Sequence, residues 1–131
     1  MTLREDMGQC DLVFATTGVG LAERSNISNA YLITDCNRDH PLDNLRCVID
    51  LFKVFLKERP SFVISTGAAP GLLGILVGKT MGVKSIWIDS IANSERLSLS
   101  GRLAGRVADL WITQWPHLAT ANGPKFYGSV L

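Results

Sequence analysis

Ser61–Ser90 reads SFVISTGAAPGLLGILVGKTMGVKSIWIDS. A short apolar run, Phe62-Val63-Ile64, stops at Ser65-Thr66-Gly67. A segment of small and apolar residues then runs from Pro70 to Met81 and breaks at Gly82. A second apolar run, Ile86-Trp87-Ile88, ends on Asp89. Strand, glycine-rich turn, helix and strand in that order make a βαβ unit, and its turn lies where α/β proteins bind ligands.

The same alternation extends in both directions. Asp11–Thr16 and Ala30–Thr34 read as strands, with a turn at Thr17–Gly20 and a short helix over Leu21–Ser25. Asp35–Asp43 is polar, holds Pro41, and reads as a loop. Leu45, Val48, Ile49, Phe52, Phe55 and Leu56 recur at helical spacing and predict a helix over Leu42–Lys57, ended by Pro60. Beyond the βαβ unit, Asp89–Leu97 reads as a loop and Ser98–Val107 as a helix. Leu110–Thr113 reads as a strand, Gln114-Trp115-Pro116 as a turn, and Lys125–Tyr127 as a last edge strand. The class is α/β, a Rossmann-like, mostly parallel sheet flanked by helices, read as one domain over residues 1–131.

Bulk properties narrow the function classes. Apolar residues make up 47% and charged residues 19% of the 131, a globular balance. A net charge of +1 gives no general field toward nucleic acid. Cys10, Cys36 and Cys47 have no metal-type spacing and read as reduced thiols in a cytosolic setting. No apolar run reaches the ~18 residues that a bilayer span needs, so any membrane contact is expected to be peripheral or through a partner.

Gly67-Ala68-Ala69-Pro70-Gly71 is the first candidate site. Small residues let a ligand approach the backbone, and free N–H groups at a helix start favour an anion. The competing reading is that the glycines only permit tight helix-to-sheet packing. Gly78-Lys79-Thr80 is not a Walker A motif, because Leu73 stands where that motif needs glycine; Lys79 fits a helix C-terminus better. In the following loop, Asp89, Ser90, Asn93 and Glu95 should neighbour the glycine turn. Asp89 or Glu95 could accept a sugar hydroxyl or act as a base; Asp89 and Ser94 could equally cap turns. His40 and His117 read as solvated, and Arg102 with Arg106 as an exposed helix face.

Four segments together carry a resemblance: Ser65–Gly71, Lys84–Ser90, Leu99–Ala104 (LSGRLA) and Thr113–Pro116 (TQWP). They resemble the acceptor-side, membrane-anchor subunit of the dolichol-linked GlcNAc transferase and, more closely, its bacterial relatives in capsule and exopolysaccharide synthesis. The resemblance implies the N-terminal half of a GT-B glycosyltransferase, with no cofactor of its own. It implies a partner subunit that binds the UDP-sugar, and a polyprenyl-pyrophosphate-linked acceptor at the cytoplasmic membrane face. Gly67, Ala68, Ala69 and Gly71 would face the interdomain cleft, with Asp89 as the candidate catalytic group and Ser90, Asn93 and Glu95 beside it as substrate-binding residues. Tyr127–Leu131 would lie near the partner. The family pattern opens with a strand and a glycine-rich loop ending in histidine, and Thr2–Asp6 falls at about the helix after that loop. The first βα unit and its histidine are therefore expected to be absent from these residues, leaving an exposed sheet edge. A second class stays open: a non-catalytic Rossmann-like module that recruits a partner enzyme. A dinucleotide-dependent oxidoreductase fits less well, since the turn lacks G-x-G-x-x-G spacing.

Overall fold

The structure is a computed structural model that describes residues 7–24, 26–36 and 39–128. Strand β1 is Phe14–Thr16, α1 is Leu21–Arg24 and β2 is Ala30–Leu32. Helix α2 is Pro41–Glu58, β3 is Phe62–Ser65, α3 is Ala68–Thr80 and β4 is Lys84–Ile88. Helix α4 is Leu99–Ala104 and β5 is Leu110–Ile112, followed by a 3₁₀ turn over Pro116–Leu118. The expected end of α1 at Ser25 lies outside the described residues, as do Thr2–Asp6 and Ser129–Leu131.

Every strand pairing is parallel, but the single expected sheet is two pieces among the described residues: β1–β2, and β3–β4–β5 with β4 in the middle. β1 and β3 each keep one edge without a ladder partner among those residues. One core joins the pieces. Ile33, just past β2, packs with Cys47, Leu51 and Phe55 of α2 and Val77 of α3. A second core holds Ile75, Trp87 and Ala104, with Val107 and Trp111 against it. Because β3→β4 and β4→β5 advance in one direction, right-handed crossovers place α3 and α4 on one face.

Several boundaries differ from the sequence reading, each for a local reason. Helix α2 ends with Arg59 in a left-handed conformation (φ 46°), its N–H on the Phe55 carbonyl, so the stop precedes Pro60. Its apolar residues divide: Cys47, Leu51 and Phe55 point inward, whereas Leu45, Ile49 and Leu56 are exposed. Helix α4 stops at Ala104, where the chain turns beneath Trp111. Lys125–Tyr127 forms a single bridge to Ile112 instead of a strand, because Pro124 has no N–H and Phe126 and Tyr127 point to solvent. Lys79 bonds the Val107 carbonyl at 3.1 Å, tying α3 to the turn after α4.

Two carboxylates staple strand ends, Asp109 at the start of β4 and Asp50 just past the end of β2. Asp109 accepts from the backbone N–H of Ser85 at 2.8 Å and its hydroxyl at 3.2 Å. Those bonds, the backbone one first, hold the Asp109 carboxyl below its ordinary pKa. Asp50 of α2 accepts from the Thr34 hydroxyl at 2.7 Å and its N–H at 3.0 Å, which lowers its pKa likewise, the hydroxyl contributing most. Both groups contribute stability that is complete above the ordinary aspartate value and lost as pH falls through the lowered folded value. Stability should therefore decline below about pH 4. In denaturation across pH 2 to 6, Asp50→Asn with Asp109→Asn should flatten that decline; an unchanged slope contradicts the assignment.

Helix α4 leaves no room at its end. A Cβ at Gly105 would sit 2.3 to 2.5 Å from three ring atoms of Trp111. Gly105→Ala should cost about 1–3 kcal/mol, despite alanine's better helix propensity, because a rigid ring cannot step aside. A lowered denaturant midpoint is the expected reading; an unchanged one would mean that the ring moves freely.

Candidate functional site

The site region is the edge where β3, β4 and β5 end. β3 runs into Ser65-Thr66-Gly67, and α3 starts at Ala68, two residues earlier than Pro70. Pro70 is thus the third helical residue. Its missing N–H still costs nothing there, since first-turn amides have no intrahelical acceptor. Gly67 has φ 135° and caps the helix with no side-chain bond; Ala68 follows with φ 63°. A left-handed alanine at a strand-to-helix turn is a strained position, of the kind that collects at ligand sites. The amides of Ala68 and Ala69 open the helix without a side-chain cap, and Pro70 has none to offer. Ala68 and Ala69 are exposed.

Gly67 and Ser90 meet across the gap between β3 and β4. A Cβ on Gly67 would lie 3.8 Å from the Ser90 Cβ. The glycine turn and the loop after β4 therefore adjoin, as the strand order demands. Gly71 serves packing: a Cβ there would fall 2.0 Å from Ser65 Oγ and 3.6 Å from the Trp87 ring. The packing reading of that glycine and the ligand reading of the turn are thus carried by different residues.

Asp89 is 1% exposed and is fully engaged by its own loop. Its Oδ1 accepts from the Ser98 hydroxyl at 2.8 Å and from Asn93 Nδ2 at 3.4 Å; its Oδ2 accepts from the Ser98 N–H at 3.2 Å. Ser98 in turn caps α4, accepting from the Gly101 N–H at 2.8 Å. Asp89 thus positions the group that starts α4, which is the capping alternative weighed from sequence. The Ser90 hydroxyl accepts from the Ala92 N–H at 3.3 Å and folds the same loop. Glu95 is exposed at the loop's outer end.

The sequence reading missed a clamp on this loop from β5. Gln114 is 5% exposed and donates to the Asp89 carbonyl at 3.0 Å. Trp115 Nε1 donates to the Ile91 carbonyl at 2.9 Å, and His117 Nε2 donates to the Ser94 carbonyl at 2.5 Å. His117 is exposed but engaged, a correction to its reading as merely solvated. No local signal marked this clamp, since glutamine is mostly a surface residue. The side chains of His40, Arg102 and Arg106 are exposed. Among the described residues no cluster of histidine, cysteine or acidic side chains has metal-site geometry.

Two hollows lie elsewhere. One, about 260 Å³, is lined by Phe55, Leu56, Arg59, Pro60, Met81 and Val83, at the opposite edge of the sheet. The other, about 250 Å³, lies between β2 and α2. The glycine turn is an open wall.

A family model described as Oligosaccharide biosynthesis protein Alg14 like matches residues 29–130. The chain belongs to the Alg14-like family. A mouse relative named UDP-N-acetylglucosamine transferase subunit ALG14 is 33% identical over 73 residues, covering 51% of this chain and 34% of that protein. A relative of the same name in Eremothecium gossypii is 53% identical over 34 residues, covering 26% of this chain and 15% of the relative. The chain thus spans about a third or less of the length of these curated relatives. The crystal structure of Acinetobacter baumannii MurG superposes with a TM-score of 0.75 at 15% identity, over 94% of this chain and 38% of that one. That likeness supports the Rossmann-like, GT-B-type parallel fold read from the sequence.

The clamp makes a graded prediction for this Alg14-like chain. Ser98→Ala removes one cap and should cost about 1 kcal/mol. Asp89→Ala leaves buried donors without partners and should cost about 1–3 kcal/mol. The double variant should fall well short of the sum, since both act on one network. Full additivity in chemical denaturation would show that Asp89 and Ser98 act independently.

Proposed function

We propose that this chain is the acceptor-side subunit of a bipartite glycosyltransferase. It would move a sugar, GlcNAc in the first instance, from a UDP-sugar to a polyprenyl-pyrophosphate-linked acceptor in polysaccharide or glycolipid synthesis. The donor-binding half is a separate chain, and the work takes place at the cytoplasmic face of a membrane. The observation that carries the reading is the uncapped start of α3 at Gly67, adjoining Ser90 at the strand ends. The name carried by the mouse relative supplies the chemistry.

In this reading the free amides of Ala68 and Ala69 receive the acceptor's pyrophosphate. Ser90, Asn93 and Glu95 line the adjoining wall and meet the acceptor sugar. The acceptor hydroxyl oxygen attacks the anomeric carbon, the bond to the UDP oxygen breaks, and UDP leaves with the electron pair. The hydroxyl proton passes to a base. Asp89 holds the wall in place through Ser98, so the base comes from another part of the assembly. An open wall suits one side of a cleft whose other side a partner provides.

The engagement of Asp89 with its own loop also favours the second reading, a non-catalytic module that recruits its partner. One experiment separates the two. Co-expression with a donor-half partner should give UDP-GlcNAc transfer to a polyprenyl-linked acceptor. Ala69→Glu should keep the fold, because a carboxylate suits a helix start, yet cut transfer by roughly tenfold or more by filling the anion position. Full transfer by the variant complex would overturn the site, and full transfer by the partner alone would favour the recruiting module.

A further inference from the structure

Cys36 and Cys47 meet where the β1–β2 piece joins the rest of the fold. Ile33 enters the α2 core just past β2, and the Tyr31 hydroxyl donates to Glu58 at the end of α2. Asp50 holds Thr34 through hydrogen bonds of 2.7 and 3.0 Å. Cys47 precedes Asp50 by one helical turn and so shares its face of α2. Just past Thr34, Cys36 packs against the cluster that contains Cys47. The two side chains are close enough to hydrogen-bond each other. Both are free thiols; Cys36 is half-buried and Cys47 has no exposed surface.

Two thiols do not make a zinc site, and no third ligand joins them among the described residues. Small size accounts for one buried cysteine in a core. It does not account for a second thiol set against the first from a segment that solvent reaches. Cys36 lies in irregular chain, which adjusts to disulfide geometry more readily than a helix does.

We propose that Cys36 and Cys47 close into a disulfide by exchange with a small-molecule disulfide, stapling the β1–β2 piece to α2. Solvent access sets the order of events. The Cys36 thiolate attacks one sulfur of oxidised glutathione, whose S–S bond breaks as one glutathione thiolate leaves. The Cys47 thiolate then attacks the Cys36 sulfur of the mixed disulfide and releases the second glutathione. Two cysteine thiols are oxidised, one small disulfide is reduced to two thiols, and both protons end on the released glutathione. Burial raises the Cys36 thiol above its ordinary pKa, more than its contact with Cys47 lowers it. Burial first, and then the Cys36 thiol, push Cys47 up to about 12. The pair therefore rests as thiols at neutral pH, and exchange quickens with alkalinity.

The proposal stands apart from the transferase reading, and its test involves no sugar chemistry. The full chain carrying Cys10→Ser, which removes the exposed thiol, is treated with oxidised glutathione while folded, then mapped by mass spectrometry. A Cys36–Cys47 cross-linked peptide is expected, and dithiothreitol should reverse it. Its rate of formation should rise at least about tenfold per pH unit between about pH 7 and 8, as thiolate fraction does below a thiol's pKa. Closing a loop of about a dozen residues should raise the thermal midpoint by roughly 5–10 °C. Cys47→Ala should instead leave a lasting glutathione adduct on Cys36, with circular dichroism unchanged. Two thiols that stay free, or a lasting adduct at Cys36 while Cys47 is present, overturn the proposal and leave the pair as core packing. A disulfide that forms only after denaturation, or one that leaves the midpoint unmoved, overturns it as well.

Discussion

The close approach of α3 to everything around it is the constraint on which the other contacts depend. The helix packs against α2, α4, β3 and β4. It comes close to α2 and β3 because two of its four buried positions, Gly74 and Gly78, carry no side chain, while Ile75 and Val77 fill the two cores. A Cβ at Gly78 would come within 3.1 Å of both Phe55 and Val63. With hydrogen at that position, the α2 core and the Trp87 core become neighbours through one helix. The close approach also fixes the angle at which α3 leaves β3, and so where its first amides point. Packing inside the protein and the chemistry at the strand ends are set by the same short helix.

The strand-end wall is organised from the other side. A buried carboxylate is tolerated only when its hydrogen-bonding capacity is used. Asp89 meets that condition through Ser98 and Asn93, while Gln114 and Trp115 hold the carbonyls of the same loop. The result is a loop with little regular structure, fixed to β4, β5 and α4 at once. Such a loop can present Ser90 and Glu95 without large entropic cost on binding. The four sequence segments that carry the family resemblance are those that build this arrangement: the β3 turn, β4 with its loop, α4, and Thr113–Pro116.

The βαβ unit was legible because apolar runs, small residues and a proline marked each transition in Ser61–Ser90. The start of α3 was misread by two residues, since proline fits any first-turn position and a left-handed Ala68 has no sequence signal. The roles of Asp89, Gln114 and His117 depend on partners nine to twenty-five residues away, and no local pattern encodes those. The periodicity of α2 was read correctly as helical, without saying which of its apolar residues would be buried. Period alone cannot say which half of a wide apolar arc meets the core, and here the contacts of Leu51 and Phe55 decide it.

The central claim is that the opening of α3, and not the hollow at the opposite sheet edge, receives the acceptor's pyrophosphate. An amide-resolved NMR titration with a short-chain polyprenyl-pyrophosphate-linked sugar tests it directly. Shifts concentrated at Gly67, Ala68, Ala69, Gly71 and Ser90 are predicted. Shifts concentrated at Arg59, Met81 and Val83, with the glycine turn unmoved, would contradict the account.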